Sequence, residues 1–369
     1  MQGNHGGNIN KVAREYGHKP ESIIDFSANI NFLGPAEFIK EEIQNNISWI
    51  KNYPEPQGQG LKTLIASEYD LSKNQIILGN GAVELLYKLT EVLKPKRVMI
   101  VDPTFSEYEL ASRAAGAEIL NFKLSSREEF NLTREKLNQL INSFSNIDML
   151  FLCNPNNPTG KLLSQQQINE ILSEAVSENV FLVIDEAFID FLQNKEDYTA
   201  IEQLNNNNKL FILRSLTKIY AIPGLRLGFA LTNSNLVKKI EDSRDPWSIN
   251  YFAQLACKQI FTEIAIRDQY LNETLSKLTK EKGYLYQHLN KIDKFKVYQP
   301  VANYIFIDLS NASFSSTELT DCLAEKAVMI RNCNTYNGLD DNYIRVAVKS
   351  REDNQLLIKT LKSCIRNLK

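Results

Sequence analysis

The chain is poor in paired cysteines. Its five (Cys153, Cys257, Cys322, Cys333 and Cys364) are odd in number, scattered, and form no Cys-x-x-Cys motif. A zinc site or a disulfide framework is therefore not expected, and a reducing cytoplasm fits. No apolar run approaches the ~20 residues of a membrane span. The opening Met-Gln-Gly-Asn-His-Gly-Gly-Asn lacks the apolar centre of a secretory signal. An excess of either charge is missing too: 42 Lys and Arg stand against 44 Asp and Glu, a formal −2. Nucleic acid and anionic membranes are thus not expected partners. There is no internal repeat. What remains is 369 residues, 43% hydrophobic and 23% charged, an ordinary globular composition with ample core.

Between about residues 76 and 231, short apolar runs alternate with helical patterns. Strands are expected at 75–78, 97–101, 118–122, 149–153, 181–184, 210–213 and 227–231, with helices such as 82–93 and 164–177 between them. Consecutive apolar positions suit strands covered on both faces, hence an α/β fold with a mostly parallel seven-stranded sheet. The last run follows closely on the sixth, which leaves room for one antiparallel strand. Residues 250–290 have few breakers and read as one or two long helices. Beyond them, strands at 297–299, 303–309, 328–331 and 343–348 and helices at 316–326 and 353–368 predict a smaller α+β domain. The expected division is an N-terminal arm (1–30) packing with the small domain, a large domain (31–245), and a linking helix with the small domain (246–369).

The chemistry concentrates in a few segments. Lys218 lies in Leu213-Arg-Ser-Leu-Thr-Lys-Ile-Tyr-Ala-Ile-Pro-Gly-Leu-Arg226, after an Asp185-Glu-Ala-Phe188 turn. Most lysines are solvated charges. This one has Ser215, Thr217 and Arg226 nearby in a stretch otherwise poor in charge. An amine made nucleophilic by desolvation or a neighbouring cation can form a Schiff base. A carboxylate at the end of a strand, as at Asp185, can keep a pyridine nitrogen protonated. Ser215, Thr217, Arg226 and the backbone at Gly81, Ala82 and Val83, where a helix begins, suit a phosphate. Amine, carboxylate and phosphate cradle together are what pyridoxal 5'-phosphate requires of a protein. No metal site is expected.

On these segments the chain resembles the fold-type I pyridoxal-phosphate-dependent aminotransferase superfamily. The resemblance implies that Asn157, in Asn154-Pro-Asn-Asn157-Pro-Thr-Gly160, bonds the cofactor's phenolic oxygen. It gives the ring-stacking aromatic as Tyr108, with Phe105 the alternative. It also implies that Tyr53 reaches the phosphate of a neighbouring subunit, which makes the active unit a homodimer. Phe188 stands where aminotransferases usually carry a tyrosine. The arm (His5-Gly-Gly-Asn8 and Asp25-Phe-Ser-Ala-Asn29-Ile-Asn31) narrows the resemblance to the threonine-phosphate decarboxylase family of cobalamin synthesis, as do Asp245-Pro-Trp-Ser-Ile-Asn250 and Tyr343-Ile-Arg345-Val-Ala-Val348. That family implies decarboxylation of a phosphorylated amino acid in the cytoplasm, with Arg345 on the substrate carboxylate and His5 and Arg331 on its phosphate. Asn31 and Asn157 are implied on the substrate side as well. The runner-up is a histidinol-phosphate aminotransferase, disfavoured by Phe188 and the arm. A non-catalytic regulator of the same fold is disfavoured by the presence of Lys218 and Asp185.

Overall fold

The structure, a computed structural model, describes residues 6–368. Its largest sheet runs in the order Ile76–Asn80, Leu227–Leu231, Leu210–Ser215, Phe181–Asp185, Met149–Cys153, Arg97–Asp102 and Glu118–Lys123. Six strands are mutually parallel, and Leu227–Leu231 runs antiparallel to both its neighbours. This is the expected mostly parallel sheet, with its one reversed strand where the short connection left room. Both faces are covered. Met149–Cys153 is buried at every position. Along it Leu150 and Leu152 enter one core cluster while Met149 and Phe151 enter the other, the period-two alternation of a strand. Helix Ala82–Leu93 packs Leu85, Leu86 and Leu89 into the second cluster.

A second sheet pairs Arg331–Asn332, Tyr343–Ala347, Tyr304–Asp308 and Lys296–Val297, all antiparallel. The expected long helical stretch is two helices, Tyr251–Thr262 and Ile264–Leu289, broken at Glu263. The arm strand Ile24–Asp25 pairs in parallel with Val328–Met329, and Ala347 N donates to Phe26 O at 2.8 Å. No helix among the described residues is long and apolar enough to cross a membrane. One expectation is corrected: Cys322 and Cys364 are joined by a disulfide linking helices Ser316–Ala324 and Arg351–Asn367, Cα–Cα 5.9 Å apart. Their 42-residue separation gave no local signal; only the packing of the two helices brings them together.

Because the other strands are parallel, their C-terminal ends meet at one edge, where open α/β sheets bind ligands. Asp102, Cys153, Asp185 and Ser215 all end strands there. A buried ion network steadies that edge. Arg214 reaches Glu186 at 3.1 Å and Asp190 at 2.8 Å, while Lys195 also reaches Asp190 at 3.1 Å. Burial pushes the Asp190 carboxyl up, but Arg214 and Lys195 outweigh it and hold the group down at about 2. Arg214 thus neutralises two carboxylates in the segment that carries Asp185. Replacing it (Arg214→Met) leaves Glu186 without a cation and Asp190 with Lys195 alone. The expected loss is about 3–5 kcal/mol of unfolding free energy in urea denaturation; a loss below about 1 kcal/mol would show that the edge does not depend on it.

Candidate active site

A cavity of about 420 Å³ opens at this edge and is lined by residues of both sheets and the arm. Lys218 stands in it on the short helix Leu216–Ile219. Burial, then the nearby Arg226 and Arg345, lowers its amine to about 8. A neutral amine is therefore accessible near physiological pH, which nucleophilic attack requires.

Asp185 is buried, accepts from Ala187 N at 2.9 Å through Oδ1, and accepts from the Tyr108 hydroxyl at 2.7 Å through Oδ2. Burial raises its pKa, and the two hydrogen bonds and Lys218 oppose that. Tyr108, expected to stack on a cofactor ring, lines the cavity and in addition holds Asp185. Tyr108 is 0% exposed, and one face of its ring stacks on Phe151 at 5.1 Å. Its hydroxyl serves to hold Asp185. Phe105, the alternative, is half-buried on the cavity wall, edge-on to Tyr108 at 5.6 Å.

Ser215, Thr217, Arg226, Ala82 and Val83, expected to hold a phosphate, line the one cavity together. The hydroxyls of Ser215 and Thr217 lie 2.9 Å apart, and Gly81 N donates to Arg226 O at 2.9 Å. Gly81 has φ +76°, and a Cβ there would lie 2.4 Å from Arg226 Nη2. Glycine is therefore needed for the backbone and the guanidinium to sit together. Ala82 and Val83 line the cavity at the start of helix Ala82–Leu93, whose Gly81 cap supplies no side chain. The first N–H groups of that helix are free to meet an anion.

At the other end, Asn157 Oδ1 accepts from the Tyr336 hydroxyl at 3.1 Å and from Arg345 Nη1. With its oxygen so engaged, the amide presents its NH2 as a donor. Arg345 also donates to Ser27 O at 2.6 Å, and its buried Nε has no partner. Arg331 donates to Thr335 Oγ1 at 2.8 Å. Among the described residues neither arginine pairs with a carboxylate.

Two substrate-side expectations change. Asn31 does not reach the cavity. Its amide nitrogen lies 2.8 Å from Ile219 O and 2.9 Å from both Tyr270 Oη and Thr274 Oγ1, and its Oδ1 accepts from Leu33 N. Its amide nitrogen ties this segment to the lysine helix and to helix Ile264–Leu289, and its oxygen is used locally. Asn29, two residues earlier, lines the cavity instead. It is 3% exposed, and neither of its amide atoms has a partner. Sequence reasoning missed it, and nothing in the spacing chooses between two asparagines so close. Tyr336 was missed as well. His5 lies outside the described residues, although Gly6 lines the cavity. Tyr53 is 82% exposed, rests its ring 5.1 Å from Trp247, and is not in the cavity of its own chain.

The model of the family "Aminotransferase class I and II" matches residues 21–361. The chain belongs to that family. It is 35% identical over 366 residues to a threonine-phosphate decarboxylase of Salmonella typhimurium, covering 99% of this chain and 97% of that one. Among solved structures it is similar to the histidinol-phosphate aminotransferase of Clostridium acetobutylicum, with TM-score 0.84, 30% identity, and 93% and 99% of the two chains covered. It is also similar to the L-threonine-O-3-phosphate decarboxylase of Porphyromonas gingivalis, with TM-score 0.81, 26% identity, and 92% and 99% covered.

Pyridoxal phosphate fits this donor set. Ser215, Thr217, Arg226 and the helix start would hold its phosphate, Asp185 its ring nitrogen, the Asn157 NH2 its phenolic oxygen, and Lys218 its aldehyde carbon. The lowered pKa of Lys218 makes a testable statement about loading. Below about pH 8 the amine is protonated and cannot attack; above it the amine is free. The rate at which cofactor-free protein captures pyridoxal phosphate, followed by absorbance, is expected to rise with pH to a midpoint near 8. A midpoint at the ordinary lysine value of ~10.4 would contradict the burial argument.

Proposed function

We propose that this enzyme decarboxylates L-threonine O-3-phosphate, releasing carbon dioxide and 1-amino-2-propanol O-2-phosphate. The observation that carries the reading is the pair Arg331 and Arg345, two cavity arginines with no carboxylate partner among the described residues, in one cavity with a half-buried lysine. Such a site calls for a substrate with two anionic groups. Threonine phosphate has a carboxylate and a phosphate, and a relative of that activity is 35% identical over nearly the whole chain.

When bound, pyridoxal phosphate supplies an electron sink for the pair released at the substrate α-carbon. The chain's residues do the rest. Asp185, oriented by Tyr108 and Ala187 N, keeps a proton on the ring nitrogen. Arg345 takes the carboxylate, and Arg331 with the unpartnered Asn29 amide takes the far phosphate. Gripping that remote group helps hold the carboxylate's bond perpendicular to the ring, so that affinity becomes rate. Lys218, its amine free and carrying a proton, would deliver that proton to the α-carbon in place of the departing carbon dioxide. Its pKa near 8 suits that exchange. Phe188, buried on the cavity wall against Tyr304, brings no hydroxyl beside the cofactor.

A second reading, amino transfer between histidinol phosphate and an oxoacid, has support in the 30% identity to a solved enzyme of that name. Labelled carbon dioxide separates the two. Release is expected from threonine phosphate, much less from unphosphorylated threonine, and none from Lys218→Ala. Arg331→Ala is expected to raise KM about 10- to 100-fold, the worth of a charged hydrogen bond. Rapid amino transfer from histidinol phosphate without carbon dioxide release from threonine phosphate would overturn the assignment.

A homodimer and a cytoplasmic location belong to the same proposal. Ile47, Trp49, Ile50, Tyr53 and Trp247 are all exposed, and apolar surface of this kind commonly marks an interaction site. Sedimentation is expected to give a dimer, and Tyr53→Ala is expected to weaken retention of pyridoxal phosphate in it. A monomer with full activity would remove both expectations.

A further inference from the structure

Arg331 and Arg345 are directly opposite on neighbouring antiparallel strands. Their side chains therefore leave the sheet on the same face, where two like charges repel. Tyr336 bridges them. Its ring centre lies 5.1 Å from the Arg331 guanidinium, and its hydroxyl accepts from Arg345 Nη1 at 3.4 Å while donating to Asn157 at 3.1 Å. The tyrosine is buried and lines the cavity. Its backbone is fixed as well: Tyr336 N donates to Cys333 O at 3.0 Å, and Leu339 N donates to Tyr336 O at 3.1 Å. The next residue moors the loop across to the large sheet, where Asn337 Nδ2 donates at 2.8 Å to Asp102 Oδ2. The ring face thus belongs to one arginine, the hydroxyl to the other, and the loop to a strand of the opposite sheet.

We propose that Tyr336 is a positioning residue that sets the separation of the two guanidiniums, and with it the carboxylate-to-phosphate length the site accepts. The inference rests on the proposed function only for the identity of the natural substrate. What it requires of the site is that a carboxylate and a phosphoryl group bind at the two arginines together. A flexible pair of cations would accept dianions of several lengths. A pair braced through one rigid ring accepts one length best, because a shorter or longer ligand gives up a charge-assisted hydrogen bond at one end.

The test is a series of phosphonocarboxylates with one to four methylenes between carboxyl carbon and phosphorus, bound to the holoenzyme and measured by calorimetry. Threonine phosphate has three atoms in that interval, so 4-phosphonobutyrate is expected to bind best, with its neighbours in the series about tenfold weaker. Tyr336→Leu removes both ring and hydroxyl and is expected to flatten that preference to within about threefold, mainly by weakening the three-methylene ligand. Tyr336→Phe keeps the contact with Arg331 and is expected to lie between, with affinity for inorganic phosphate unchanged. Asn337→Ala, which frees the loop without touching the ring, is expected to flatten the preference in the same direction and serves if the leucine variant does not fold. A wild-type enzyme with no length preference, or variants that weaken every ligand equally, would overturn the proposal. If the preference is present and lost in the variants while threonine phosphate releases no carbon dioxide, the reaction assignment falls and the role of Tyr336 stands.

Discussion

Four cationic side chains, Lys218, Arg226, Arg331 and Arg345, line one cavity against two carboxylates, Asp185 and Glu107. Most of the site follows from that imbalance. Charge held away from water is costly unless it is paired, and the residues respond according to their chemistry. Lysine can shed its proton, and burial with two neighbouring guanidiniums brings Lys218 down to about 8. Arginine cannot. Arg226, Arg331 and Arg345 therefore keep their charge and call for anions from outside the chain. A cofactor phosphate suits the first, at a helix start that also favours negative charge. A substrate with two anionic groups suits the other two.

The cavity is a junction rather than a pocket within one layer. The large sheet contributes the ends of its parallel strands, with Asp185 and Ser215 fixed by the ladder behind them. The smaller sheet contributes Arg331 and Arg345. Their relative position depends on bonds that cross between the sheets. The Tyr304 hydroxyl donates to Asn156 O at 2.7 Å, Tyr336 and Arg345 converge on Asn157, and Asn337 reaches Asp102. Asn154–Gly160 is thus a shared floor, bonded from above by the substrate side and facing the cofactor with what donors remain. This explains why its asparagines are not interchangeable: the Asn156 side chain bonds Pro103 O and Thr159, while that of Asn157 turns to the arginines.

Where the sequence was legible, the chemistry was local. Apolar runs gave the strands because a doubly covered strand must be apolar on consecutive positions, as Met149–Cys153 is. The cradle could be read because Ser215, Thr217, Lys218 and Arg226 lie on one short segment, and because a glycine at 81 signals a close approach. Where a role depends on which way a side chain turns, the sequence was mute. Asn29 and Asn31 carry the same amide two positions apart, yet one points into the cavity and the other is spent on Ile219, Tyr270 and Thr274. Tyr108 and Phe105 share a helix start. Only the packing shows that the Tyr108 ring rests on Phe151 and that its hydroxyl reaches Asp185. Tyr336 escaped notice for the same reason: its partners are 179 residues back at Asn157 and across a sheet at Arg345.

The arm joins the two ends of this arrangement. Asn31 N donates to Lys218 O at 3.0 Å, so the backbone of the arm braces the helix that carries the reactive amine. Four residues earlier, Ser27 O accepts from Arg345, and Ser27 Oγ accepts from Gly7 N at 2.8 Å. A Cβ at Gly6 would lie 2.3 Å from Ser27 O, so a side chain there would push the chain off the wall of the cavity. The glycines that begin the sequence thus let backbone lie flat over the arginine end, while the asparagines of residues 25–31 divide their work between ligand and scaffold. Covering the arginine end, with Ser27 O bonded to Arg345, thus fixes the direction of the guanidinium that an anion would meet.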